Sequence, residues 1–337
     1  MVLEGKPQRI EEIDMLRGLS MLTMVLLHTN AYFLSIPLVF SLWNFGQFAV
    51  PIFIFCSSYL FFIKKHHLVH WKDLFSHIKK RILRLLIPYY VFAVIYILLE
   101  WLKEPIKITP LYLFQNIFVV GGISINWLVL LFIFFTLLMP LILYLFEHKK
   151  KLFYLYTGIS TVSAFLLMLY RFPFDYRLIM WLPWSLLVVL SLLIVKNEGN
   201  KWFSPVMFFF WLIIFFMLQY LQKFLRHSLT MFDNKYPPNL FHLSFGIVSI
   251  IGLYGIAKKG ILSIPFIKEL FSFFSKNSYP IFFIHWIVIY ILTVFFHFKF
   301  TWVSFFIAVL VCTVILQMLL NGFIHFSKKS LSFFHVV

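Results

Sequence analysis

The chain has 337 residues, of which 62% are apolar and 21% aromatic while only 12% are charged, and its mean hydropathy is +0.93. A water-soluble protein of this length needs far more polar surface, so the composition excludes a soluble globular class and points to a polytopic membrane protein. The formal charge of +17 would suit a nucleic-acid binder, but in a chain this apolar it reads as basic loops between spans, and no nucleic-acid partner is expected.

Cutting the chain at charged, Pro-bearing and Gly-bearing breaks predicts ten membrane helices. They fall at roughly 15–34, 42–63, 85–102, 126–146, 152–170, 177–195, 203–222, 239–257, 278–296 and 301–325. The expectation is an all-α integral membrane protein, residues 1–337 forming one transmembrane domain with no appended soluble domain. The opening "MVLEGKPQRIEEIDM" is polar and mixed in charge. The first span lacks a small-residue cleavage site, so it reads as a retained helix and not a signal peptide. With the N-terminus inside, twenty Lys and Arg residues fall in the cytoplasmic connections and eight in the outer ones. That bias predicts cytoplasmic termini in a multi-pass cell-membrane protein, taken here as a bacterial plasma membrane.

The first span, "RGLSMLTMVLLHTN", holds the most unusual residues. Arg17 and His28 are eleven positions apart, which at 100° per residue returns to within about 20° of one face and separates them by roughly 16 Å. Arg17 then sits at the cytoplasmic mouth and His28 past the bilayer centre, with Asp14 near the same stripe and able to orient the guanidinium. An ionisable group at such depth faces protein or a watery cavity. Taken singly, Arg17 also fits a snorkelling end residue and His28 a packing residue.

Further along, Cys56 and Cys312 both sit in apolar runs and form no disulfide or metal pattern. Residues 67–87 and 264–278 place apolar side chains at helical spacing opposite lysines, as helices lying in the cytoplasmic interface against anionic lipid do. His66, His67, His70 and His77 lack carboxylate or Cys company at ligand spacing, so no metal is expected. Glu100, near the outer end of the third span, either orients His28 or belongs to a wet helix end. "DNKYPPNLFHLSFG" (233–246) is an outer turn stiffened by Pro237 and Pro238, a plausible acceptor contact.

Several segments resemble the membrane-bound acyltransferase-3 family, which includes O-acetyltransferases of surface polysaccharides. "IDMLRGLSMLTMVLLHTN" is similar to its Ile-Asp-x-x-Arg-Gly opening with a His eleven residues after the Arg. "FGQFAVPIFIFCSSYLF" (45–61) resembles the second-span segment, and "KKRILRLLIPYY" (79–90) the R-x-x-R-x-x-x-P stretch with Arg81 and Arg84. "INWLVLLFIF" (125–134) is similar to the entry to the fourth span, with Trp127 at the tryptophan. "FSKNSYPIFFIHWIVI" (274–289) resembles the late S-x-x-I-Y-L-x-H segment, with His285 at the histidine. Ser58 stands where the family usually has Gly, and Phe282 where it usually has Tyr.

The resemblance implies an acyltransferase of the class moving groups other than amino-acyl groups. It implies transfer of an acyl group, usually acetyl, from cytoplasmic acyl-CoA to a hydroxyl of an extracytoplasmic glycan, with no tightly bound cofactor. The partners expected are acyl-CoA, a glycan or polysaccharide acceptor and membrane lipid. His28 would act as general base or transient acyl carrier, supported by Arg17 and Asp14. Arg17, Arg81 and Arg84 would hold the CoA phosphates, and Trp127 and His285 would line the cavity or meet substrate. The rival reading is a polysaccharide exporter or flippase without acyl-transfer chemistry, for which inverted repeats or matched broken helices would argue.

Overall fold

The computed structural model describes residues 10–64, 71–170, 175–260, 264–296 and 299–334. The described residues contain fourteen α-helices and no named strand. They are α1 (Glu11–Asn30), α2 (Pro37–Phe45), α3 (Ala49–Ile63), α4 (Trp71–Lys103), α5 (Pro110–Ile117), α6 (Asn126–His148) and α7 (Lys150–Leu169). Then follow α8 (Tyr176–Ile179), α9 (Trp181–Lys196), α10 (Phe203–Phe224), α11 (Leu240–Lys258), α12 (Pro265–Lys276), α13 (Ser278–Tyr290) and α14 (Trp302–Phe334).

Nine stretches of the described residues are long and apolar enough to cross a membrane: α2 with α3, α4, α6, α7, α8 with α9, α10, α11, α13 with its π-helical extension Ile291–Phe295, and α14. The expected first span is α1, whose 20 residues rise about 30 Å. It stands apart from the nine because Asp14, Arg17, His28, Thr29 and Asn30 lower its hydropathy. Its position explains how that is tolerated: α1 packs against α3, α11, α12, α13 and α14. The least apolar span is thus the enclosed one, as polar groups in a bilayer require. Asn30 closes its far end by accepting a hydrogen bond from Trp302 Nε1 at 2.7 Å. By contrast, α10 lies at the periphery, packing one face on α11 and exposing the other.

Three features differ from the sequence expectation. First, the described part of the expected 67–87 interface helix is the start of α4, which runs unbroken for 33 residues to Lys103 with Pro88 inside. Pro88 has no N–H to donate back to the preceding turn. Beside this lesion the Leu85 carbonyl takes a bond from Tyr279 Oη at 2.6 Å. His66, His67 and His70 lie outside the described residues.

Second, α12 does not rest its apolar face on lipid but docks it on α1, burying Phe271 and Phe274. Gly18 permits this, since a Cβ there would collide with the Phe271 backbone. Ser275 Oγ donates to Asp14 at 2.8 Å, and Lys268 pairs with Glu11 at 2.8 Å. Gly18→Ala should therefore destabilise the protein by about 1–3 kcal/mol, the usual cost of forcing atoms into a packed contact. Thermal unfolding in detergent measures it. An unchanged midpoint would mean that α12 does not press on α1 in this way.

Third, the 104–125 connection, where no span or interface helix is expected, is built around buried Asn116, Val119, Ile123 and Ile125, although most of its residues are exposed. Asn116 organises it: its carbonyl accepts from Tyr89 Oη at 3.0 Å and its Oδ1 from the Ile123 amide at 3.0 Å. Val119 and Gly122 take positive φ to make the turn, and Asn126 reaches back to the Gly121 carbonyl. Non-helical backbone is tolerated in a membrane protein where protein groups satisfy it, as the bonds at Asn116, Gly121 and Ile123 do. This device delivers Trp127 in the first turn of α6.

Candidate active site

The first element of the site is a cavity of about 620 Å³. Its rim is basic, formed by Arg17 from α1, Lys64 after α3, and His77, Arg81 and Arg84 from the first turns of α4. Arg81 is held by a 2.7 Å bond to Ser57 Oγ. Among the described residues Arg17 has no carboxylate within ion-pair distance. Asp14, expected to orient that guanidinium, turns instead to Ser275. Cationic groups converging on a cavity suit a multiply charged anion. Away from the rim the lining becomes apolar, with Phe53, Leu128, Phe132 and Phe282. The cavity is therefore amphipathic along its length.

Phe282 leads to the second element, its ring 6.0 Å from that of His285. His28 Nδ1 and His285 Nε2 are 2.7 Å apart, although 257 residues separate them in sequence. The ring planes lie within 4° and the centroids 5.0 Å apart, which is the spacing of an in-plane N–H···N bond. His285 Nδ1 lies 2.8 Å from the Ile281 carbonyl. A carbonyl only accepts, so with both rings neutral Nδ1 of His285 carries its proton and Nε2 its lone pair. His28 must then donate from Nδ1, which leaves the lone pair on His28 Nε2. Trp286, the next residue of α13, packs its ring 4.8 Å from His28. Two successive residues thus hold the imidazole, one fixing its tautomer and the other its tilt.

The third element is a buried lysine. Lys235, from the connection before α11, donates to Gln47 Oε1 at 3.1 Å. Its Nζ stands 5.5 Å from the Trp127 ring centroid and 5.2 Å from that of Tyr236. Burial pushes its ammonium down to about 7. Trp127 is buried and meets Tyr236 edge-on at 5.0 Å.

A family model described as an acyltransferase domain matches residues 10–322. The chain belongs to the acyltransferase-3 family. No curated protein and no solved structure matches it.

Membership makes this chain a membrane acyltransferase. The fold of this acyltransferase brings Arg17, Arg81 and Arg84 to one cavity, His28 and His285 to one hydrogen bond, and Trp127 to the lysine beyond them. Glu100 stays apart from the imidazoles and accepts from Tyr112 Oη. His77, set aside as an interface residue, lines the cavity. Lys235 was missed because a lysine in a connection counts as solvated charge, and only nearby Pro237 and Pro238 marked the turn as built.

Proposed function

We propose that this chain transfers an acyl group, acetyl in the simplest case, from acyl-CoA at the basic end of the bundle to a hydroxyl of a glycan reached from the opposite end. The observation that carries this reading is the cavity that opens at three arginines and turns apolar as far as Phe282, beside the His28–His285 pair. The CoA phosphates would lie on Arg17, Arg81 and Arg84, and the pantetheine arm would follow the apolar wall. The excess of Lys and Arg on that end favours the cytoplasm, where acyl-CoA is found.

In the general-base form, His28 Nε2 takes the proton of the acceptor hydroxyl as its oxygen attacks the thioester carbonyl. The carbon–sulfur bond breaks, and the departing thiolate takes that proton from the imidazolium. An ester and free CoA result, with no external reductant or oxidant. His285 accepts from Nδ1–H throughout and stabilises the charge that forms on His28. In the acyl-carrier form Nε2 attacks the thioester carbonyl and the carbon–sulfur bond breaks, releasing thiolate; the hydroxyl oxygen then attacks the acyl carbon, the carbon–nitrogen bond breaks and the hydroxyl proton ends on the thiolate. The same lone pair serves both.

The direct test is release of CoA from acetyl-CoA by purified protein when glycan is added. In proteoliposomes of known orientation, donor should work only from the Arg17 side and acceptor only from the other. Reaction of both substrates from one side would refute transfer across the bilayer. His285 is a positioning residue in this scheme. His285→Ala should lower kcat by at least about 10-fold while KM for acyl-CoA holds. His285→Gln, which keeps an acceptor, should recover part of the loss.

A further inference from the structure

A second cavity, of about 350 Å³, lies at the end of the bundle opposite the arginines. Its walls come from the last turns of α7 and α10, the 225–239 connection and the start of α11. Three amides build it. Gln222 Nε2 and Asn239 Nδ2 both donate to Asn234 Oδ1, at 2.8 and 2.5 Å. Asn234 Nδ2 in turn donates to the Ser228 and Thr230 carbonyls at 2.9 and 2.7 Å. That saturates the Asn234 oxygen but leaves Gln222 Oε1, in a residue 1% exposed, with no donor among the described residues. A buried acceptor left bare destabilises the fold until a donor arrives.

Arg226 and Asp233 add one charge of each sign to the lining, so the cavity favours no single sign of ligand charge. Tyr236 also lines it, and the same ring meets Trp127 edge-on and stands beside buried Lys235. A ligand here needs hydroxyl donors, acceptors for amide N–H groups and an apolar face for an aromatic ring. A sugar ring has all three, and the volume falls in the range of small-ligand sites. A lone water would satisfy Gln222 Oε1 but would leave most of the cavity and the Tyr236 wall without a role.

We propose that this cavity binds a pyranose residue of the acceptor glycan, with Gln222 Oε1 accepting a sugar hydroxyl and the Tyr236 ring packing on that residue. The proposal rests on the glycan-acceptor reading above and places the acceptor within the molecule.

The test uses the full chain in nanodiscs on a printed array of neutral and acidic hexose and hexosamine oligosaccharides. Gln222→Met keeps the side-chain length and removes the carbonyl. Leu169→Trp fills the cavity and leaves the amides in place. Wild type should retain one class of glycan; Gln222→Met should lose about tenfold in affinity, the effect of one neutral hydrogen bond, and Leu169→Trp at least as much by occupying the space. His28→Ala should retain the glycan, and acyl-CoA affinity should hold in all three, which reports an intact fold. Glycan retention unchanged in both variants would overturn the subsite and leave acyl transfer to a glycan standing. Wild type retaining no glycan would overturn the subsite. If CoA release then also ignored glycan, the acceptor reading would fall separately.

Discussion

His28→Ala is expected to lower acyl transfer by about 10²–10⁴-fold, the range a positioned general base contributes, while the chain still inserts and accumulates at normal levels. The size follows from the geometry. The bond to His285 fixes the lone pair on Nε2, and alanine leaves nothing there to take a proton or carry an acyl group. Stability should fall less than activity, because His28 is only partly enclosed and bonds its neighbour through a side chain. Surface acylation in cells and CoA release in detergent measure the effect independently. Near-normal acylation would remove both forms of the mechanism together.

The second large effect is expected at the cavity rim. Arg81→Gln with Arg84→Gln should weaken acyl-CoA binding by about 100-fold or more, since hydrogen bonds to charged groups contribute about 1.5–3 kcal/mol each. High salt should weaken binding to the wild type and act much less on the double variant, because screening acts on the charges removed. Acceptor affinity should not change. Isothermal titration with acetyl-CoA reads the donor side directly. Unchanged affinity would reduce the two arginines to lipid anchors, a role their place near the start of α4 also permits.

Much of the architecture was legible because hydrocarbon imposes a length and a composition on anything that crosses it. All ten expected spans correspond to helices, and even the polar first one was found from its apolar stretch. What lay beyond reading was which faces meet. In a membrane both the lipid-facing and the buried positions are apolar, so periodicity does not separate them. Hence α12 looked like a helix resting on lipid, when Gly18 lets it dock on α1. The site divides in the same way. Spacing within one helix put Arg17 and His28 on one stripe, and the arginines of α4 followed from resemblance. The pairing of His28 with His285 joins distant parts of the chain, and no local pattern encodes it. Lys235 was opaque for the opposite reason: position in a connection implied water, and the fold buried it among Gln47, Trp127 and Tyr236.

The enclosure of α1 also bears on how the chain is made. Synthesis delivers α1 first, yet three of its neighbours, α12, α13 and α14, are delivered last. Until they arrive, α3 stands beside Arg17 but His28 lacks His285 and Trp286, and lipid is a poor substitute. Its early residence in the bilayer is therefore provisional, held by its apolar turns and by the basic connection that follows α3. Only when the last three helices close around it do the imidazole of His28 and that of His285 meet. An incomplete chain carries every arginine of the rim and half of the histidine pair, so the transfer proposed for that pair waits for α13.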